Sequence, residues 1–461
     1  MELQQLFQRQ GATEMYARIA TLKSPPPTNG PTGFEFGLRR AALARTLGMP
    51  FNPELGLFAD YGDGATYQQP PDFTDYPSIR LPGPWTSLAL GEMLPALREY
   101  GALVARQILG TGVDVNFWDL GNEVENGVAG VAVRPLFPTT SYRAPDAVDP
   151  AIGLMSVPTL VAMPEDQRIA WCQAHLWPYV GRLLAAAAEG IRSVDPSGRF
   201  STHISHFGHR TSAVQVAFWD TVRRVGYLPD QLGTSYYPTD GRSTLGANAM
   251  FEWFKQTATA LGQRFGRQVF IAEYGYPSGL MQPPYPFNDP VPVYTMSESG
   301  QHDFLRDLLT WGTASGRLAG IRPWQPEDVS SEWQPMSFFD PSGSIAKAKP
   351  VMRAFREVLG APRCGESTST PPGRLLARFY GRRHRGHGLV VGLLTTTGTL
   401  TNLTVELRHG RRLVARRLVD HVGAHPRNVV LQAHGHVAAG RYALIVAHAG
   451  KTLIRRTVLV R

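Results

Sequence analysis

Cysteine is nearly absent: two residues in 461, Cys172 and Cys364. They are far apart and form no CxxC, which excludes a disulfide framework, a zinc ribbon and a dithiol redox motif. One long-range disulfide and two unrelated thiols both stay open. No run approaches about 18 apolar residues, so no membrane-spanning helix is expected. The first ten residues, MELQQLFQRQ, lack the basic start, apolar stretch and small-residue cleavage site of a secretory leader.

Acidic residues are scarce in one place only. The whole chain has 46 Lys and Arg against 37 Asp and Glu, a net charge of +9. From Gly365 to Arg461 there are 15 Arg and one Lys against three acids, a net +13, which leaves the first 364 residues at −4. The basic character therefore belongs to the tail. Interleaved aromatics are scarce there, which argues against nucleic acid as the partner.

What the sequence does contain is an ordinary globular composition, 43% hydrophobic and 18% charged, in a chain long enough for two domains. Residues 1–360 alternate β-like and helical runs, the pattern of an α/β protein with a parallel sheet. Candidate strands are Glu14–Thr21, Gly56–Gly62, Val115–Glu123, Phe200–Ser205, Gln231–Pro238, Val269–Pro277 and Gly320–Gln325. Helices are expected at Leu38–Leu47, Leu88–Leu109, Gln167–Val194, Ala213–Val225, Ala247–Arg264 and Ser297–Ser315. Seven strands are one short of a closed (β/α)₈ barrel. Residues 1–13 read as the helix before the second strand, so the first strand is expected upstream of Met1 and the chain start as truncated. Residues 361–373 read as a linker. Residues 374–461 carry seven short alternating runs, the pattern of an immunoglobulin-like β-sandwich.

Three long, irregular segments follow candidate strands: Asp63–Trp85, Asn126–Asp166 and Ser278–Met296. That position puts them on the face where barrel active sites are built. Two of the strands that precede them end in a carboxylic acid. Val115–Glu123 closes on Gly121-Asn122-Glu123, and Val269–Ala272 runs into Glu273. A retaining glycosidase needs two carboxyl groups, one protonated and one ionised, roughly 5–5.5 Å apart.

These segments resemble the clan A glycoside hydrolases. Within that clan they are most similar to family 53, the arabinogalactan endo-β-1,4-galactanases. Gly121-Asn-Glu-Val-Glu-Asn-Gly127 resembles the family's acid/base segment and Glu273-Tyr-Gly-Tyr-Pro277 its nucleophile segment. Leu232-Gly-Thr-Ser-Tyr-Tyr-Pro238 resembles its sixth strand and Tyr16-Ala-Arg-Ile19 its second. The resemblance spans residues 5–360. It implies a retaining (β/α)₈ enzyme cleaving β-glycosidic bonds in a polysaccharide, galactan first, with Glu123 as acid/base, Glu273 as nucleophile and no cofactor. Arg18 is then expected to keep Glu273 ionised, Asn122 to bind the sugar 2-hydroxyl, and Tyr236 to orient Glu273. Trp324 is expected as the floor under the cleaved sugar. The segment Phe58–Tyr67 departs from the family by lacking its Trp-Ala-Asp-Pro element.

Other residues have weaker claims. Tyr61, Tyr67, Trp85, Tyr276 and Trp333 are candidate sugar-stacking rings. His203, His206 and His209 form an HxxHxxH run, but that spacing does not share a strand face. No metal is expected, and His203 reads as a sugar-contacting residue. Glu125, two residues beyond Glu123, is expected to point elsewhere. The tail's paired arginines fit a solvated sheet face, with an acidic polymer or the cell surface as a possible partner, and neither nucleic acid nor membrane. The resemblance implies a secreted or cell-surface protein. Competing readings are another clan A specificity, for β-glucan or a β-galactoside, and a non-catalytic carbohydrate-binding protein.

Overall fold

The computed structural model describes residues 2–25, 32–61, 68–134, 144–205, 211–241, 247–283, 285–343, 346–360, 375–382, 388–395, 400–410, 412–422, 427–432, 437–448 and 451–460. It divides into two compact units, Met1–Pro362 and Arg363–Arg461.

The first unit holds seven parallel strands in sequential order: β1 (Met15–Ile19), β2 (Phe51–Leu55), β3 (Trp118–Leu120), β4 (Phe200–Ile204), β5 (Gln231–Tyr236), β6 (Gln268–Tyr274) and β7 (Leu318–Pro323). Helices return the chain between them, among them Phe34–Thr46, Leu90–Gly110, Trp177–Val194, Ser212–Arg224, Ala247–Phe265 and Glu298–Ser315. Sequential parallel strands joined by helices are the winding of a (β/α) barrel. β1 and β7 are its edges. Among the described residues β1 pairs only with β2 and β7 only with β6, and five of the six β7 residues are part-exposed.

The inner strands β2–β6 are buried on both faces but for the first residues of β5 and β6, as parallel strands in α/β proteins are. All five residues of β2 and all five of β4 are buried. Their apolar residues Phe51, Leu55, Phe200 and Ile204 join the main core, yet Asn52, Glu54 and His203 are equally buried. A buried polar residue on a strand must find a partner. These find one another across the sheet interior, and that requirement locates the site.

Three expectations shift. The segment Gly56–Gly62 is not the strand; the strand lies five residues earlier. Pro53 sits within it, opposite Ala17, and gives no N–H to the ladder, which obscures the β pattern. Leu57, at φ 58°, then turns the chain out of the sheet. The stretch Gln167–Val194 is two helices, Glu165–His175 and Trp177–Val194, because Pro178 fits only the first turn of a new helix. Asn126–Asp166 is not wholly irregular either: it contains a short hairpin, Gly127–Val128 against Val131–Ala132, and the helices Pro150–Leu154 and Val157–Ala162.

The second unit is all β. Strands β8 (Leu375–Arg382), β9 (Gly388–Thr395) and β12 (Arg427–Gln432) make a three-stranded antiparallel sheet in the order β8-β9-β12. Strands β10 (Leu400–His409), β11 (Arg412–Val422), β13 (Gly440–His448) and β14 (Lys451–Val460) make a four-stranded one in the order β11-β10-β13-β14. Leu389, Val391, Val429 and Leu431 of the first sheet share one core with Leu403, Val405, Leu407, Leu444 and Val446 of the second. This is sandwich packing.

Candidate active site

The site forms where β1, β2, β3, β4, β5, β6 and β7 bring polar side chains to the same end of the sheet. Leu120 ends β3, and Gly121 (φ 77°) and Glu123 (φ 45°, ψ 55°) both take left-handed backbone. That conformation costs a non-glycine residue of order 1 kcal/mol or more and collects at functional sites. The backbone of Glu123 is held by Gln68, whose Nε2 donates to the Glu123 carbonyl at 2.8 Å. Its carboxyl, on a residue only 8% exposed, accepts one hydrogen bond, from Ser235 Oγ at 2.7 Å.

Glu273 ends β6 and is 6% exposed. Its surroundings differ from those of Glu123 in sign. Arg18 Nη2 donates to Oε1 at 2.5 Å and Tyr237 OH donates to Oε2 at 2.9 Å. Burial alone would raise the Glu273 carboxyl, but Arg18, then His203 and Tyr237, hold it below the usual carboxylate range. Among the described residues no cation is in contact with Glu123. Burial first, then the charges of Glu273 and Glu125, push it up to about 8, against opposing pulls from the Ser235 hydrogen bond and His203. One carboxyl is held as the acid and its neighbour as the anion.

Arg18 is the centre of the network. Its Nη2 also donates to Asn122 Oδ1 at 2.6 Å and its Nε to Glu54 Oε1 at 2.5 Å. Its guanidinium lies 4.4 Å from the ring centre of Tyr61 and 4.2 Å from that of Trp324, in cation–π contact with two rings that meet edge to face. A second buried arginine, Arg322, sits behind it. Arg322 donates to Glu54 Oε2 at 2.6 Å and to Asp119 Oδ2 and Asn52 Oδ1 at 3.0 Å each. His203 Nε2 lies 3.1 Å from Asn122 Oδ1, and Nδ1 lies 3.8 Å from Asp119 Oδ2. Burial opposes charging His203, but Asp119, Glu54 and Glu273 outweigh it and raise its pKa. A protonated His203 donates to Asn122 Oδ1. With that oxygen accepting from both Arg18 and His203, the Asn122 amide nitrogen is left to donate elsewhere.

Glu54, Asp119 and His203 place ligand-type atoms within 4.8 Å of one another, the spacing of a metal site. Glu54 is already bonded by Arg18, Arg322 and Tyr16, and Asp119 by Arg322. The trio is built around guanidinium groups. Of the HxxHxxH run, His206 and His209 lie outside the described residues.

Glu123, Glu273, Arg18, Asn122, His203 and Trp324 therefore converge. Tyr236 does not: its hydroxyl donates to the Met250 carbonyl at 3.2 Å, and its ring stacks on Phe254. Adjacent strand residues face opposite ways, and the hydroxyl on Glu273 belongs to Tyr237. Glu125 points away, accepting from Ser205 N at 2.8 Å and Ser205 Oγ at 2.5 Å. Tyr61 joins the site. Trp85 and Tyr276 are core residues, their polar tips spent on the Ala129 and Tyr294 carbonyls. Trp333 packs with Tyr237, Met281, Phe287 and Met336 in a small cluster of their own, against which Trp324 also packs. Tyr67 lies outside the described residues.

Sequence reasoning missed Ser235, Tyr237, Glu54, Asp119 and Arg322. A signal existed for the first two, since residues two apart on one strand share a face. Glu54 was hidden with its strand.

Known proteins are similar to this chain in sequence and in fold. The family model described as "Glycosyl hydrolase family 53" matches residues 71–355. The arabinogalactan endo-beta-1,4-galactanase A of Emericella nidulans is 24% identical over 309 residues, 65% of this chain and 71% of that protein. The arabinogalactan endo-beta-1,4-galactanase of Humicola insolens is 20% identical over 70% of this chain and 83% of its own length. Among solved structures, the GH53 catalytic domain of Ignisphaera aggregans superposes with a TM-score of 0.57 at 17% identity, covering 78% of this chain and 88% of that one. A structure of fungal beta-1,4-galactanases gives 0.55 at 17% identity, covering 78% of this chain and 91% of the other. At such identities the superpositions speak for the barrel fold alone. The fold and the matched sequence define a glycoside hydrolase. The chain belongs to glycosyl hydrolase family 53.

Proposed function

We propose that this chain is a retaining endo-β-1,4-galactanase acting through Glu123 and Glu273. The observation that supports it is the opposed tuning of two neighbouring buried carboxyls, one raised by burial and one lowered by Arg18. Separating paired carboxyl pKa values is how glycosidases divide the acid and base work.

In the first step Glu273 attacks the anomeric carbon while Glu123 gives its proton to the departing glycosidic oxygen. This forms a covalent glycosyl-enzyme and a shortened chain. Ionised Glu123 then takes a proton from water, whose oxygen displaces Glu273 and restores the anomeric configuration. Tyr237 orients the attacking carboxylate. Asn122, fixed by Arg18 and His203, donates its amide to the sugar 2-hydroxyl. Trp324 contributes its ring beside the cleaved sugar. A galactan substrate follows from what the two matched fungal relatives are named for. A polymer of that size is cut outside the cell, so the protein works secreted or at the cell surface. Among the described residues no helix is long and apolar enough to cross a membrane.

The departure at Phe58–Tyr67 favours one second reading, another β-glycan specificity with the same chemistry. Hydrolysis of a polysaccharide panel by wild type and Glu273→Gln decides between them. Proton NMR of the first product tests the stereochemistry. Galactan cleaved with net inversion, or cleaved equally by Glu273→Gln, would overturn the mechanism. Cleavage of another β-glycan in preference would overturn only the substrate.

A further inference from the structure

The second unit has a charged face that the chemistry above does not use. Cross-strand partners lie on the same side of a sheet. In the four-stranded sheet Leu403, Val405, Leu407, Leu444 and Val446 point into the core, so their alternates face out. One outward row crosses all four strands: Arg416 on β11 opposite Glu406 on β10, Glu406 opposite Ile445 on β13, Ile445 opposite Arg455 on β14. Arg408 and Arg441 occupy outward positions in neighbouring rows. Arg416, Arg441 and Arg455 are exposed. Glu406 is the one acid among the described side chains of this face, and it is engaged by Arg408 at 2.7 Å and Arg416 at 3.6 Å. Three strand spacings of about 4.8 Å make the array a flat strip rather than a pocket.

We propose that this outer sheet face binds a carboxylate-bearing polysaccharide, a polyuronate, and so holds the enzyme on an acidic polymer while the barrel cuts a neutral one. Charge complementarity selects an extended polyanion, because guanidinium groups pair carboxylates in a planar, two-pronged geometry. The choice of polysaccharide rests on the reading that the chain works on glycans. Two other polyanions fit less well. The described outward positions carry no Trp, Tyr or Phe on which bases could stack. Of the exposed leucines, Leu413 and Leu418 stand on one edge strand, β11, five residues apart, and Leu459 on the other, β14, too scattered to make a continuous apolar patch for a membrane.

The test is affinity electrophoresis of the full chain through gels containing polygalacturonate, beside wild type's hydrolysis of neutral galactan. Wild type is retarded at low salt and released by about 0.5 M NaCl, as screening of exposed charges requires. The variant R416Q/R441Q/R455Q binds about tenfold more weakly, with unchanged melting temperature and unchanged hydrolysis. Replacing the same three residues by Lys restores only part of the retardation, because an ammonium group supplies the charge without the two-pronged geometry. No retardation, or equal retardation of the Gln variant, would overturn the proposal. So would tighter binding to duplex DNA or to phosphatidylserine vesicles, or release by excess neutral galactan, which would move the contact to the cleft. Retardation of a chain that hydrolyses nothing would leave the binding face standing and sink only the enzymatic reading.

Discussion

A single nitrogen, Arg18 Nη2, donates to both Asn122 Oδ1 at 2.6 Å and Glu273 Oε1 at 2.5 Å. The group that holds Glu273 ionised therefore also fixes Asn122, the residue proposed to bind the sugar 2-hydroxyl. Replacing Arg18 by Met removes both effects. The expected loss in kcat is about 10²–10³, the scale of one preorganised charged donor. Without the cation the Glu273 pKa rises, so the acidic limb of the kcat/KM profile moves to higher pH. A profile whose acidic limb stays in place would show that Arg18 does not hold the charge.

The alkaline limb belongs to Glu123. Burial and the charge of Glu273 push it up to about 8, so activity falls as pH rises through that value and the acid loses its proton. Ser235 donates to the carboxyl and favours its ionised form. Ser235→Ala therefore moves the alkaline limb upward. Linkage gives a matching stability signature. A carboxyl raised in the folded state stabilises fully below its unfolded value near 4.5, and that contribution is lost as pH rises through about 8. Melting temperature measured from pH 5 to 9 should fall more steeply in wild type than in Glu123→Gln.

Much of this was legible in the sequence because both acids follow strands whose apolar runs are unmistakable. Trp118-Asp-Leu120 into Gly121-Asn-Glu123 and Val269–Ala272 into Glu273 announce strand ends directly. What stayed hidden was the shell behind them. Glu54 sits in a strand containing Pro53 and outside any recognised β run, while Arg322 lies in the recognised run Gly320–Gln325 with nothing local to mark its partners. Their partners Arg18 and Asp119 are 36 and 203 residues away respectively, and no local periodicity encodes such pairings. The assignment of Tyr236 rather than Tyr237 failed for a different reason. Strand alternation says that the two face opposite sides, but only the register against β6, where Ser235 stands opposite Glu273, says which side holds the site.

That register separates two conservative variants. Tyr237→Phe removes the donor on Glu273 Oε2 and should cut kcat by about 10–10² while barely changing KM. Tyr236→Phe removes a buried hydrogen bond to the Met250 carbonyl and should cost about 1 kcal/mol of stability with kcat preserved. Steady-state kinetics and urea unfolding on both proteins check the split. Equal kinetic losses would mean that the two hydroxyls act through the fold and not on the carboxylate.

Arg322 provides the last test, because its role is to neutralise and not to react. It carries hydrogen bonds to Glu54, Asp119, Asn52 and the Ala272 carbonyl, all in residues the sheet buries. Arg322→Met strands two buried carboxylates with one fewer cation. Breaking a buried pair from one side costs about 3–5 kcal/mol, so urea unfolding should show a loss on that scale. The double variant Glu54→Leu/Arg322→Met removes both partners and should recover part of the stability, since an apolar pair avoids the desolvation cost. Activity should not recover with it. Arg18 would have lost the Glu54 carboxylate that fixes its Nε, and the charge on Glu273 would no longer be held in line. Recovery of stability and kcat together would show that the ion pair serves the fold alone.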